Sequence, residues 1–146
     1  MKGILVETDL IVDYLTAGPG GATLLRRLLE VVPCYGTFIQ AGEIYSAATG
    51  DEERRMAERA LFGLKILGAS GRYAKTIGEV LSSLASMGSY RTAIVAAMAL
   101  ESRLPVVTDA YRPALAGIPG VKLIAASELR RAPDHERLGA LLAPHL

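Results

Sequence analysis

Three short apolar runs, set far apart by helix-patterned sequence, constrain this chain more than any other feature. Gly3 to Glu7, Leu104 to Thr108 and Val121 to Ala125 are each too short for a helix and end at turn residues or an acid. An unbroken apolar run of that length reads as a strand buried on both faces. Between the first run and the second, hydrophobic residues recur at helical spacing. Leu24, Leu25, Leu28, Leu29 and Val32 share one face, with Arg26, Arg27 and Glu30 opposite. Ala57, Ala60, Leu61 and Leu64 form a second stripe, and Ile77, Val80, Leu81, Leu84 and Met87 a third. Helices are expected over 9–15, 37–48, 51–67 and 91–102, with a helical turn and loop from Pro113 to Pro119. Gly18-Pro19-Gly20-Gly21, Pro33, the stretch from Gly68 to Gly71 and Gly88 interrupt them. Strands separated by helices imply a parallel sheet covered on both faces. The expectation is a single α/β domain over 1–146, whose polar tail, 127–146, ends in Leu138, Leu141 and Leu142 and suits a docked short helix.

Several chemistries are excluded by residue type. Cys34 is the one cysteine, which rules out an intrachain disulfide and a thiolate cluster and leaves a small core residue as its expected role. The two histidines, His135 and His145, both lie in the tail, far from any Ser-His-Asp pattern or His-rich zinc site. The glycine-rich break lacks the Lys-Ser/Thr of a phosphate loop. A metal, if held, would be held by oxygen ligands, which points to Mg²⁺ or Mn²⁺. The apolar stretch from Thr92 to Leu100 is closed by Arg91 and Glu101, too short to span a membrane, and the N-terminal run is too short for a signal peptide. A cytoplasmic location is the expectation. The net charge of +1 gives no global attraction to nucleic acid. Arginine supplies 12 of the 16 basic residues, so a local phosphate-binding patch stays open beside the plainer reading of solvated helix faces. The chain has no Asn and a single Gln, Gln40, which with the arginine bias suggests a thermophilic source.

The acids carry the chemical interest. Glu7 and Asp109 close two of the strands, at the edge of a parallel sheet where ligands gather. Glu43 lies among small residues on a helix. Clustered carboxylates need a cation to neutralise them, and a hard divalent ion there would polarise a phosphodiester and acidify an attacking water. Each acid also has a plainer reading. Glu7 could be a strand-end acid, Asp9 the N-cap of the helix that follows, and Asp109 the cap of the turn before Tyr111-Arg112-Pro113. Asp13 and Glu79 read as solvated.

The order of these segments resembles a known family. Ile4-Leu5-Val6-Glu7-Thr8-Asp9-Leu10-Ile11-Val12-Asp13-Tyr14-Leu15 is similar to the opening of PIN domains, an apolar strand, Asp-Thr-Asn/Ser and an apolar helix. Thr37-Phe38-Ile39-Gln40-Ala41-Gly42-Glu43-Ile44-Tyr45 resembles the second motif, an acid on a helix. The stretch from Ile94 to Glu101 and Leu104-Pro105-Val106-Val107-Thr108-Asp109 resemble the third and fourth, so the series covers residues 3–125. The resemblance implies a PIN-like parallel-sheet fold, Mg²⁺- or Mn²⁺-dependent RNA hydrolysis, frequent homodimerisation and, for many members, the toxin role in a toxin–antitoxin pair, neutralised by an antitoxin protein. Carried over, it makes Glu7, Glu43 and Asp109 catalytic carboxylates and metal ligands, with Asp9 as a further ligand.

The departures are specific. The first acid is Glu7 rather than Asp, one methylene longer. The third acid is expected at Arg91 or Thr92, and neither is acidic. The fourth is expected one residue later, at Ala110. Arg91 in the place of an acid could pair with Glu7 or Glu43 and replace the cation, or could be an exposed helix-start residue. Two readings follow: a PIN-like ribonuclease with altered ligands, or a catalytically inactive PIN-like protein that binds RNA or a protein partner. Glu7-Thr8-Asp9 after a strand also resembles the haloacid-dehalogenase class, but that class needs Asp first and a later paired-acid motif that the chain lacks.

Overall fold

The computed structural model describes residues 2–18, 20–84 and 89–146. Met87, assigned above to a helical stripe, and the breaks at Pro19 and Gly88 lie outside them. The elements run β1 (Ile4–Val6), α1 (Thr8–Thr16), α2 (Leu24–Val31), β2 (Cys34–Thr37), α3 (Phe38–Ala47), α4 (Gly50–Phe62) and β3 (Lys65–Leu67). They continue with α5 (Ala74–Ser83), α6 (Tyr90–Ser102), β4 (Val106–Thr108), α7 (Arg112–Leu115), β5 (Leu123–Ala125), α8 (Ala126–Arg130) and α9 (His135–Leu142).

The five strands form one parallel sheet in the order β3-β2-β1-β4-β5. The chain builds outward from β1 to β3 on one side, then crosses back to lay β4 and β5 on the other. That reversal puts a topological switch point between β1 and β4, at the ends occupied by Glu7 and Asp109.

Two of the five strands were not foreseen. The helix expected over 51–67 stops at Phe62, and Lys65–Leu67 is the edge strand β3. Its Lys65 and Ile66 are exposed, so it lacks the apolar run that marks β1, β4 and β5. Cys34–Thr37, between Pro33 and α3, is β2, four residues that include a glycine and a threonine. It is wholly buried, because β1 and β3 flank it.

The central strands explain their own composition. Side chains alternate across the sheet, so Ile4 and Val6 join one core with Leu25, Leu28 and Ile44, while Leu5 joins the other with Val106, Ala93 and Ala96. Both faces are dry, and every position must be apolar. In the tail, Leu138 and Leu142 are buried in the first of these cores. Arg27 on α2 donates to the Ala132 carbonyl beside them. No helix among the described residues is long and apolar enough to cross a membrane.

Gly3 sets the entry into β1. A Cβ there would lie 2.6 Å from the Pro33 carbonyl oxygen, which accepts from Ile4 N, and 2.7 Å from the Tyr35 ring. Gly3→Ala is therefore expected to destabilise the protein by about 1–3 kcal/mol through overpacking, read as a lower urea midpoint with an unchanged slope.

Candidate functional site

Glu7 follows β1 directly, and its backbone is held by an N–H bond to Val107 on β4. Its side chain is completely buried, where an unpaired carboxylate would be very costly. Every oxygen is therefore answered. Oε1 accepts from Arg91 Nη2 at 2.8 Å, Gln40 Nε2 at 2.8 Å and Thr8 N at 3.2 Å, and Oε2 accepts from Arg91 Nη1 at 3.0 Å.

Gln40 is presented by α3. Its Oε1 accepts from Thr37 N at 2.7 Å and from the Thr37 hydroxyl, and Thr37 Oγ1 in turn accepts from Ile39 N. A backbone N–H can only donate, which fixes the Gln40 amide with its NH₂ toward Glu7. The single glutamine of the chain thus ties the start of α3 to the end of β1.

One turn along α3, Glu43 meets the other edge of the same guanidinium. Its Oε2 accepts from Arg91 Nε at 2.9 Å, and its Oε1 accepts from Arg91 Nη2 and from Thr8 Oγ1, each at 2.9 Å. Arg91, on the first turn of α6, thus makes a forked pair on two edges and commits four of its five N–H donors to two carboxylates. The Tyr111 ring covers the guanidinium, with its centroid 3.9 Å from Cζ. Burial pushes the Glu43 carboxyl up, but the hydrogen bonds from Arg91 and Thr8 and the Arg91 charge outweigh it and hold the group below its ordinary value of 4.5. Burial raises the Tyr111 phenol, against an opposing pull from Arg91, so the ring stays neutral over its cation.

The two remaining acids face a different task. Asp9 is not the N-cap of α1. Glu7 holds that position, and Asp9 sits in the first turn. The Asp9 carboxylate accepts from Thr108 Oγ1 at 2.9 Å, Asp109 N at 3.0 Å and Ala110 N at 3.1 Å, so it clasps the loop that leaves β4. Nor does the Asp109 side chain cap that turn, where Thr108 Oγ1 takes the Tyr111 N–H at 3.1 Å. Asp109 instead accepts from Ser127 N at 3.1 Å and Arg130 Nη1 at 2.9 Å. Arg130 also pairs with the exposed Asp13 at 2.8 Å. Asp13 therefore has a partner despite its exposure, and Glu79 is exposed as expected.

The fold thus joins Glu7 and Glu43 through Arg91, while Asp9 and Asp109 serve the neighbouring loop. No three His, Cys, Asp or Glu residues among those described converge closely enough to hold one metal ion. A divalent ion prefers free anionic oxygens, and the shared position between Glu7 and Glu43 is filled by a guanidinium of the same sign. As arranged, the residues do not fit Mg²⁺ or Mn²⁺. Arg91 is legible in the sequence as a site residue, whereas Thr8, Gln40, Tyr111 and Arg130 are not. Only Gln40 carried a local signal, as the third residue after a Thr at a helix start.

Arg91→Met strands the buried Glu7 charge and should lower stability by about 3–5 kcal/mol, with much of the loss recovered when Glu7→Gln is added; urea unfolding of the single and double variants reads both. The depressed Glu43 carboxyl stabilises the fold at pH values above its unfolded pKa, and this is lost as pH falls through the folded value. The thermal midpoint should therefore drop on acidification below about pH 4.3, and drop less in Glu43→Gln.

No family model matches the chain, and no curated protein does either. Solved structures do match. A VapBC complex from Salmonella typhimurium bound to DNA has a chain that is 19% identical, with a TM-score of 0.71 over 86% of this chain and 99% of that one. VapBC2 from Rickettsia felis, bound to a promoter DNA fragment, is 15% identical, with a TM-score of 0.69 over 84% and 97%. A toxin–antitoxin complex from Klebsiella pneumoniae is 22% identical, with a TM-score of 0.65 over 84% and 97%. Likeness at such identities carries the fold, and it agrees with the five-stranded parallel sheet and its switch point. The chain thus has the PIN-like α/β fold of these VapBC neighbours, with an arginine where its acids converge.

Proposed function

We propose that this chain is a PIN-like protein that does not hydrolyse RNA and that works by binding a protein partner. The observation that carries this reading is the double fork of Arg91, which answers Glu7 and Glu43 together. A built-in cation supplies the neutralisation that clustered carboxylates need, but it has no open coordination position and cannot acidify a water. Asp9 and Asp109 spend their oxygens on backbone N–H groups and on Arg130.

A protein partner is favoured over RNA by the near-neutral charge of the chain and by the neighbours, which occur as toxin–antitoxin complexes. An antitoxin-like protein is the partner class that this similarity suggests. The metal-dependent ribonuclease is the second reading, and one observation favours it: the fold still delivers Glu7 and Glu43 to within 3.0 Å of one cationic group.

Calorimetric titration with Mn²⁺, paired with an RNA-cleavage assay, separates the two. The wild type should show no saturable Mn²⁺ binding and no metal-dependent cleavage, whereas Arg91→Ala should gain Mn²⁺ affinity that Glu43→Gln then removes. Saturable Mn²⁺ binding by the wild type, with cleavage that is lost in Glu43→Gln, would overturn the binding-protein reading in favour of the nuclease.

A further inference from the structure

We propose that the edge of the sheet opposite the Arg91 cluster binds a small organic phosphate, in a pocket between the end of α6 and the start of β5. The strands are parallel, so Glu7 and Asp109 stand at one edge and the residues that precede each strand at the other. There Arg103 lies shortly before β4 and Lys122 directly before β5, and these two strands pair side by side. With Leu100, Leu104, Gly120 and Val121 they line a pocket of about 180 Å³. Both cations are exposed, and neither has an ion pair or a side-chain hydrogen bond among the described residues. No acid contributes to the wall of the pocket. Glu101, the acid nearest Arg103 in the chain, accepts instead from the Thr76 hydroxyl on α5.

The backbone at this pocket is a second observation. Among the described residues, Arg103 alone of the non-glycines has a positive φ, 55°. It follows α6 where glycine is the usual choice, because a Cβ is crowded in the left-handed conformation. Its N–H and that of Leu104 answer the last carbonyls of the helix, a task glycine would perform as well. An arginine there costs strain and places a guanidinium at the pocket. A cation also complements a helix C-terminus, but an arginine one turn earlier would do so without strain, and Lys122 is not on the helix. The opposite wall is brought close by Gly120, at φ 86°, where a Cβ would lie 3.1 Å from Leu100 Cδ2. A phosphomonoester has nearly two negative charges and three acceptor oxygens, which a forked guanidinium and an ammonium match together. Leu100, Leu104 and Val121 offer the carbon part of such a ligand an apolar wall that free phosphate cannot use. Two cations would neutralise only a short stretch of a nucleic acid backbone, so a compact ligand is the better fit. The site lies at the far ends of the strands from the Arg91 cluster and depends on neither reading of it.

The test is an amide NMR titration of the full chain with phenyl phosphate, inorganic phosphate, benzoate and a short single-stranded DNA. Phenyl phosphate should give saturable shifts at Leu100, Arg103, Gly120, Val121 and Lys122, with inorganic phosphate and benzoate each about tenfold weaker. Lys122→Gln should weaken phenyl phosphate about three- to tenfold. Arg103→Gly suits the left-handed position, so it should keep the fold and the urea midpoint while losing as much affinity. Unchanged binding in that variant would mean that the arginine serves the helix end alone and would overturn the proposal. So would the absence of a response at these amides, or inorganic phosphate binding as tightly as phenyl phosphate. DNA saturating the same amides more tightly than phenyl phosphate would overturn it in favour of a nucleic acid surface. Mn²⁺ titration reports on the other edge of the sheet, so failure here and failure of the binding-protein reading are told apart.

Discussion

One guanidinium held between two carboxylates organises the upper edge of this sheet. Glu7 is an ion on the end of a fully buried strand, and water cannot reach it. Its charge is tolerable only because Arg91 approaches from α6 and Gln40 from α3, each with a hydrogen aimed at a named oxygen. Three elements far apart in sequence are thereby fixed to one point. Glu43 then occupies the remaining edge of the fork, and Tyr111 closes the face. Buried ion pairs are weak evidence for stability, since desolvation offsets much of the attraction. Their strength lies in specificity, because moving any one member leaves the others unpaired.

This arrangement solves a general problem of acidic clusters in a particular way. Like charges on neighbouring strand ends repel, and a mobile metal ion is one means of neutralising them. A tethered cation is another, and it has different consequences. It cannot be titrated away by a chelator, it offers no exchangeable coordination position, and it binds at fixed stoichiometry. On the binding-protein reading proposed above, the chemistry that a metal would lend the site is given up for permanence.

Legibility in the sequence followed physical range. β1, β4 and β5 announced themselves, because each carries an unbroken apolar run of the kind that burial demands. Edge strand β3 did not, since Lys65 and Ile66 face outward and its pairing with β2 comes from tertiary context. β2 was hidden by Gly36 and Thr37, which break its apolar run, and by Pro33 directly before it. In the site, Glu7, Glu43, Asp9 and Asp109 were picked out by type and position, and Arg91 by standing where an acid was expected. Their division of labour was not legible. Which carboxylate faces a guanidinium and which a backbone N–H depends on shifts of an ångström or so between strand ends. Gln40 arrives 33 residues after Glu7, Arg130 arrives 21 after Asp109, and Tyr111 arrives 20 after the Arg91 it covers, separations that no local pattern encodes.

The clasp on Asp109 has a temporal side. Its carboxylate is answered by Ser127 and Arg130, which follow it in the chain, while Arg130 reaches back to Asp13 near the start. A polypeptide emerging from the ribosome brings out Glu7, Glu43 and Arg91 well before those two groups. The loop that carries Tyr111 is thus held by Asp9 as soon as it is made, and gains its second anchor, on Asp109, only when the chain has reached Arg130.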